Sequence, residues 1–418
     1  MTLNLLVNNN IFKWLSKAYV FEKILIILFI VSFYLPLLIN SRILIFVFVF
    51  FVVKKRANGN FIRNPFFLII CTSLIILIFG ALRRFSSFQI MHHLELGAFL
   101  VGIPIFVYQL RLGFEGSKLL GYFSLANVCL VTLGFIKIFI FSDSNVILKI
   151  LGQGHTEFTD TIGRIHPTYL SMYFILIAFY SLEELRHGNF SNALKSWLPQ
   201  MIYLISSVAV LVFLRSQMAL MVFTTVVIFY LLVITRKRAW LIAFFLFTVG
   251  LLTLLLDSDG TLSQLSYFGK NVSTALDNRV VLWKAVINGL KGNVLFGAGT
   301  GAEQTLINEG YRQASFSEGI ENSFNAHNQY LQFVCRNGLI ELAAFLALLI
   351  YCFWKAQHQQ NLVFMLFLIS FSLLMLTESL LNTQRGIVFF YFFVSVFVFL
   401  PYKSDKTVTH PTQDKSII

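Results

Sequence analysis

The chain has 418 residues, of which 57% are hydrophobic and 12% charged, with a formal net charge of +13. No water-soluble domain carries that balance over its whole length, so a soluble globular enzyme is excluded. The excess of cations has no soluble basic domain to sit on. That excludes nucleic acid as a partner and leaves membrane anchoring and an anionic substrate as its uses.

Apolar runs long enough to span a membrane, or nearly so, follow in chain order at roughly 22–39, 41–53, 65–82, 93–110, 119–141, 167–184, 198–214, 217–235, 239–256, 329–354, 361–381 and 386–401. They lack the alternation of barrel strands. The expected fold is an all-α polytopic membrane protein of about twelve transmembrane helices. The first run begins near Phe21 with no small-residue cleavage site behind it, and reads as a span rather than a signal peptide.

Lys and Arg set the expected orientation. Lys54, Lys55, Arg56, Arg63, Arg111, Lys118 and Lys355 fall in loops of one side, and "TRKR", Thr235 to Arg238, is the clearest single anchor. Cations concentrate in cytoplasmic loops, so both termini are expected in the cytoplasm. Two segments of the other side are too long for turns: 142–166, running into "TIGRIHPTYL", and the polar stretch 257–328. Loops of that length among tight connections usually carry function. The expected division is N-terminal transmembrane helices (1–141), middle transmembrane helices with an outer loop (142–256), a large periplasmic loop (257–328), C-terminal transmembrane helices (329–401) and a cytoplasmic tail (402–418).

The polar knot "NAHNQYLQFVCRNG", Asn325 to Gly338, opens the tenth run. On a continuous helix His327, Leu331, Val334, Gly338 and Glu341 would share one face, and Gly338 would admit a neighbouring helix. Histidine ordinarily titrates near working pH, so His327 is a candidate general base; the alternative is an interfacial residue that only bonds the loop.

The outer side also holds arginines. Arg215 lies in "VFLRSQMALM", between two apolar runs, where a guanidinium is costly unless an anion or cavity satisfies it. Arg279 lies in "LDNRVVLWKAVINGL", where Val280, Trp283, Val286 and Ile287 recur at the spacing of an amphipathic, membrane-lying helix. Arg83 and Arg84 end the third run, and Arg164 precedes His166. Singly, each reads as a snorkelling arginine. Together they point to a dianion such as a lipid pyrophosphate, which guanidinium binds bidentately.

"FGAGTGAEQ", Phe296 to Gln304, has the glycines of a phosphate loop but no preceding strand and no Lys-Ser/Thr ending, and reads as a turn of close backbone approach. "DSD", Asp257 to Asp259, has no His or carboxylate partner nearby and reads as the exit of a span rather than a metal site. Cys71, Cys129, Cys335 and Cys352 are scattered and form neither a metal set nor a disulfide framework. Glu378 and Gln384 in "LTESLLNTQRGIVFFYFF" are functional candidates or polar contacts that set helix register.

Jointly these pieces resemble the O-antigen ligase / O-antigen polymerase superfamily of bacterial envelope enzymes. His327-Asn328, followed at a distance by Gly338, is similar to its histidine motif. "NRVVLWKAVINGLKGNVLFGAGTG" is similar to its arginine–tryptophan stretch and glycine turn, and "RIHPTYLSMY" and "TESLLNTQRGIVFFYFF" to its middle and C-terminal signatures. The likeness covers roughly 160–400.

The resemblance implies a membrane-embedded, GT-C-like, inverting glycosyltransferase of the bacterial inner membrane, without metal or cofactor, facing the periplasm. It implies an undecaprenyl-diphosphate-linked glycan as donor and, on the ligase branch, a sugar hydroxyl of lipid A–core as acceptor. It further implies His327 as the catalytic base, with Arg279, Arg215, Asn328, Arg164 and His166 binding substrate. Two positions depart from the pattern: Glu341 stands where Gly, Thr or Tyr is usual, and Ser216-Gln217 where Ser-Arg is usual. The alternatives are a polymerase, a protein O-oligosaccharyltransferase, or a transporter of lipid-linked glycan. The late position of the large loop favours ligase. A transporter would line a path with polar groups through both leaflets, whereas here they cluster on the outer side.

Overall fold

The computed structural model describes residues 18–54, 61–83, 89–110, 114–141, 165–187, 193–214, 216–234, 279–400 and 402. Among the described residues the chain is helical throughout. In order come α1 (Ala18–Ser32), α2 (Leu37–Lys54), α3 (Pro65–Leu82), α4 (Gln89–Leu110), α5 (Gly116–Phe141), α6 (Pro167–His187), α7 (Ala193–Phe213) and α8 (Gln217–Ile234). Then follow α9 over 279–289, α10 (Glu303–Gln313), α11 (Ser317–Glu321), α12 (Gln329–His358), α13 (Leu362–Leu374), a 3₁₀ turn (Leu380–Asn382) and α14 (Gln384–Phe399). Helix α3, residues Gly116–Ile138 of α5, and α12 are long and apolar enough to cross a membrane, and shorter apolar helices lie within α2, α4, α7, α8, α13 and α14. This is a membrane protein. The ninth predicted run, 239–256, lies outside the described residues.

A helix that is apolar all round belongs inside, and α6 and α14 show it. Every residue of α14 from Gly386 to Val398 is buried, as is every residue of α6 from Leu170 to Leu182. Helix α14 packs on α4 and α12, and α6 on α7 and α13. By contrast α3 turns Leu68, Ile75 and Phe79 outward, and α5 turns Leu133 and Ile140 outward. Lipid is as apolar as these side chains, so association rests on close packing and ring contacts rather than escape from water. Tyr173 of α6 shows how the phenylalanines serve that end. Its ring lies 5.6 Å from Phe33, 5.8 Å from Phe123 and 4.7 Å from Phe389, in the tilted and edge-on orientations that aromatic quadrupoles favour.

A second core sits outside the main bundle. Leu282 and Val286 of α9, Leu306, Ile307 and Tyr311 of α10, Ala326, and Val334 of α12 form it. The described part of the long polar segment, from residue 279 on, is thus a folded helical cap. The predicted apolar face of α9 needs correction. Leu282, Ala285, Val286 and Leu290 face the second core, while Val280, Val281 and Ile287 are exposed at 40%, 54% and 52%.

Helix α12 is not continuous, which overturns the shared face predicted for His327, Leu331, Val334, Gly338 and Glu341. His327 precedes the helix, at φ +40°. The helix breaks at Asn337 (φ −128°, ψ 21°) and Gly338 (φ 74°, ψ −164°). The glycine turn fills the break. Ala298 N–H donates to the Cys335 carbonyl at 2.8 Å, Gly299 N–H to Arg336 at 2.7 Å, and Leu339 N–H to Val294 at 2.9 Å. The close neighbour of Gly338 is therefore this turn, not another helix. A Cβ there would collide with the Leu295 carbonyl, and one on Gly297 would lie 2.6 Å from that of Arg336. Both positions also have positive φ, which glycine adopts without steric cost.

Candidate functional site

Three separate parts of the chain meet at one carboxylate. Arg279 opens α9, His327 stands just before α12, and Glu378 lies in the loop between α13 and the 3₁₀ turn. The Arg279 Nη2 donates to Glu378 Oε1 at 2.5 Å, and its Nε to the Thr377 carbonyl at 2.9 Å. His327 Nδ1 lies 3.4 Å from Glu378 Oε2. Predicted run eleven had carried Glu378 inside a span. The helix instead ends at Leu374, which frees Glu378 to face the cap.

Local bonds hold the histidine in its uncommon backbone conformation. His327 N–H donates to Asn325 Oδ1 at 2.7 Å, an Asx-type turn, and Trp283 Nε1 donates to the His327 carbonyl at 3.4 Å. The Phe324 ring meets the imidazole edge-on at 5.8 Å. Burial pushes the Glu378 carboxyl upward. The contact with His327 and the guanidinium of Arg279, with the His166 imidazole nearby, outweigh it and hold the group below its ordinary range. Glu378 is therefore an anion at neutral pH.

Arg279 and His327 line one pocket of about 350 Å³, together with Val281, Leu282, Phe316, Glu318 and Phe324. The lining thus offers one guanidinium, one imidazole, two phenylalanine rings and one carboxylate, Glu318. A guanidinium can hold an anionic group bidentately, and the phenylalanine rings can take an apolar surface.

The other predicted site residues fall elsewhere. Asn328 does not line the pocket: its Oδ1 accepts from Leu331 N–H at 3.0 Å and caps α12. His166 approaches the same corner closely enough to lower Glu378, but its Nδ1 accepts from Thr168 N–H at 3.3 Å at the start of α6. Arg215, Arg164, Arg84 and the Asp257–Asp259 stretch lie outside the described residues. Arg83 donates to the Phe296 carbonyl at 2.7 Å and steadies the glycine turn. Gln384 bonds Asn40 and Ser41 of α2 at 2.8 and 3.0 Å, a contact that sets helix register. In the glycine turn, the amides of Gly297, Ala298 and Gly299 are spent on protein carbonyls rather than offered to a phosphate. Among the described residues no group of three or more His, Cys, Asp or Glu is placed to hold a metal ion.

Sequence reasoning passed over Arg336. It is 5% exposed and meets Glu341, also 5% exposed, with Nε 3.0 and 3.1 Å from the two carboxylate oxygens and a further bond from Nη2. Asn337 Nδ2 bridges Glu341 (3.0 Å) to Thr300 (2.9 Å), whose hydroxyl donates to the Leu77 carbonyl at 2.9 Å. This buried network bolts α12, the glycine turn and α3 together at the helix break. Glu341 five residues after Arg336 was the available signal, but the spacing does not pair them on an unbroken helix.

Residues 202–346 match the family model described as O-antigen ligase. No curated protein matches the chain. The matched span runs from α7 into α12, contains Arg215, Arg279 and His327, and stops short of Glu378. Over that span the chain is similar to the O-antigen ligase family.

Proposed function

We propose that this chain is an O-antigen ligase that moves a glycan from an undecaprenyl-diphosphate carrier to a sugar hydroxyl of lipid A–core, at the periplasmic face of the inner membrane. The observation that carries this reading is the pocket shared by Arg279 and His327. The outer side of that membrane holds no nucleotide sugar, so an activated lipid is the natural energy source. The Arg279 guanidinium holds the diphosphate and stabilises the charge that grows as the sugar–phosphate bond breaks. Arg215 and Arg164 are proposed as further donor contacts, and Asn328 and His166 as supports of the site.

His327 Nδ1 is turned to Glu378, so Nε2 is the nitrogen left for the acceptor. It takes the proton of the acceptor hydroxyl as the oxygen attacks the anomeric carbon opposite the diphosphate. The new glycosidic bond forms as the old C–O bond breaks, and the electron pair leaves on the lipid diphosphate. Attack from the opposite face inverts the anomeric centre. Arginine in the place of a metal makes the reaction independent of divalent cations. The wider architecture in this reading has about twelve spans, cytoplasmic termini, and 257–328 as the periplasmic loop.

The test is the lipopolysaccharide profile of a deletion strain. Loss of all polymer from core, with polymer remaining on carrier lipid, is the expected result. A band of single repeats on core would mean a polymerase instead. Loss of polymer from core, with the carrier-linked glycan held on the cytoplasmic side, would mean a transporter.

A further inference from the structure

Glu378 has one carboxylate and two competing partners. Oε1 is taken by Arg279 at 2.5 Å, while Oε2 reaches His327 only at 3.4 Å, beyond the usual range of a hydrogen bond. Arg279 does not depend on this carboxylate for its place, because its Nε is also anchored on the Thr377 carbonyl. A guanidinium has five N–H donors, and two are engaged here. Anything dianionic that binds Arg279 from the pocket competes directly with Glu378.

We propose that Glu378 is a donor-gated positioning residue: a lipid diphosphate on Arg279 displaces the carboxylate, which moves fully onto His327 Nδ1 and fixes the ring with Nε2 toward the acceptor. This rests on the donor reading above and adds an order to it. The base is aligned only once the leaving group is held. The carboxylate then also balances the imidazolium formed when the acceptor proton reaches Nε2. Glu378 stands just past the end of α13, its N–H bonded back to the Leu374 carbonyl at 3.0 Å, so the shift is one of the side chain between two neighbouring partners. The other titratable groups near it are His166 and Tyr169 at the start of α6; Arg385 at the start of α14 faces Tyr169, and Glu318 lines the pocket beside Arg279 and His327.

Purified full-length protein tests this with undecaprenyl diphosphate as the binding probe and turnover of donor lipid as the second readout. Glu378→Gln removes the competitor, so the probe should bind tighter, on the order of two- to fivefold for a partly exposed ion pair. Turnover should nonetheless fall, on the order of ten- to a hundredfold, because the base is no longer aligned. Glu378→Asp keeps the charge but draws it back from His327. The shorter side chain also loosens its hold on Arg279, so it should bind the probe at least as tightly as wild type and turn over poorly, and it serves if the glutamine variant fails to fold. A carboxylate that merely braced Arg279 would give the opposite split, weaker binding in Glu378→Gln, and that result overturns the gate while leaving the donor reading intact. Wild-type turnover in Glu378→Gln also overturns it. If Arg279→Ala binds the probe normally, the donor reading itself fails, and the gate with it.

Discussion

At the scale of single residues, His327 and Arg279 have separable duties. His327→Ala should lower glycan transfer by about 10²–10⁴-fold, the range of a general base, while the protein stays in the membrane fraction at normal level. An immunoblot of membranes beside a glycan gel reads both, and near-normal attachment would reduce His327 to a loop contact. For Arg279 the question is charge against fork geometry. Lysine keeps the charge but loses the paired donors that match phosphate oxygens. Each charge-assisted bond contributes about 1.5–3 kcal/mol, so Arg279→Lys should retain only about a tenth to a hundredth of activity. Arg279→Ala should lose nearly all of it. Full activity of the lysine variant, or a requirement for a divalent cation, would sink the arginine clamp. The role of Glu378 was open in the sequence because nothing local names its partners: Arg279 and His327 lie 99 and 51 positions away.

At the scale of elements, the break in α12 is what presents the site. The glycine turn and the first half of α12 belong to the same cap that carries Arg279. Gly338→Ala forces a side chain into a left-handed position against the Leu295 carbonyl. Strain of this kind costs about 1–3 kcal/mol by itself, and the turn must also move. Thermal unfolding in detergent should show the loss, and transfer should fall with it; a variant as stable and active as wild type would mean the turn does not position the cap.

The Arg336–Glu341 pair makes a second test. Glu341→Ala leaves a buried guanidinium without its counter-charge, which costs about 3–5 kcal/mol. Replacing both residues by methionine should recover most of that stability, because an apolar pair escapes the desolvation penalty. If the single and double variants unfold alike, the ion pair is not what secures the break.

At the scale of the whole molecule, the prediction concerns sides. By the asymmetry of Lys and Arg, Ser258 and Thr407 should fall on opposite faces of the membrane. Reporter fusions at these positions should light up in opposite compartments, Ser258 in the periplasm. A cytoplasmic Ser258 would bring the pocket to the wrong leaflet and overturn the proposed donor.

What the sequence determined by itself was the class of molecule and the chemistry it could hold. Membrane spans are legible because every backbone polar group in lipid must be bonded within its own helix, so length and apolarity suffice. His327 and Arg279 stood out as ionisable residues beside apolar runs, and the glycines of 296–304 as a turn of close backbone approach. The tertiary structure decided which of these residues meet. It turned Asn328 into a helix cap, gave Gln384 to α2, and broke α12, so that the face predicted for His327 does not exist. Periodicity reports only what a regular helix would do, and a glycine at positive φ held by a distant turn leaves no periodic trace. The ion pair of Glu378 with Arg279, and its contact with His327, likewise required three remote segments to close on one point, which only the packing of the cap against the loop after α13 brings about.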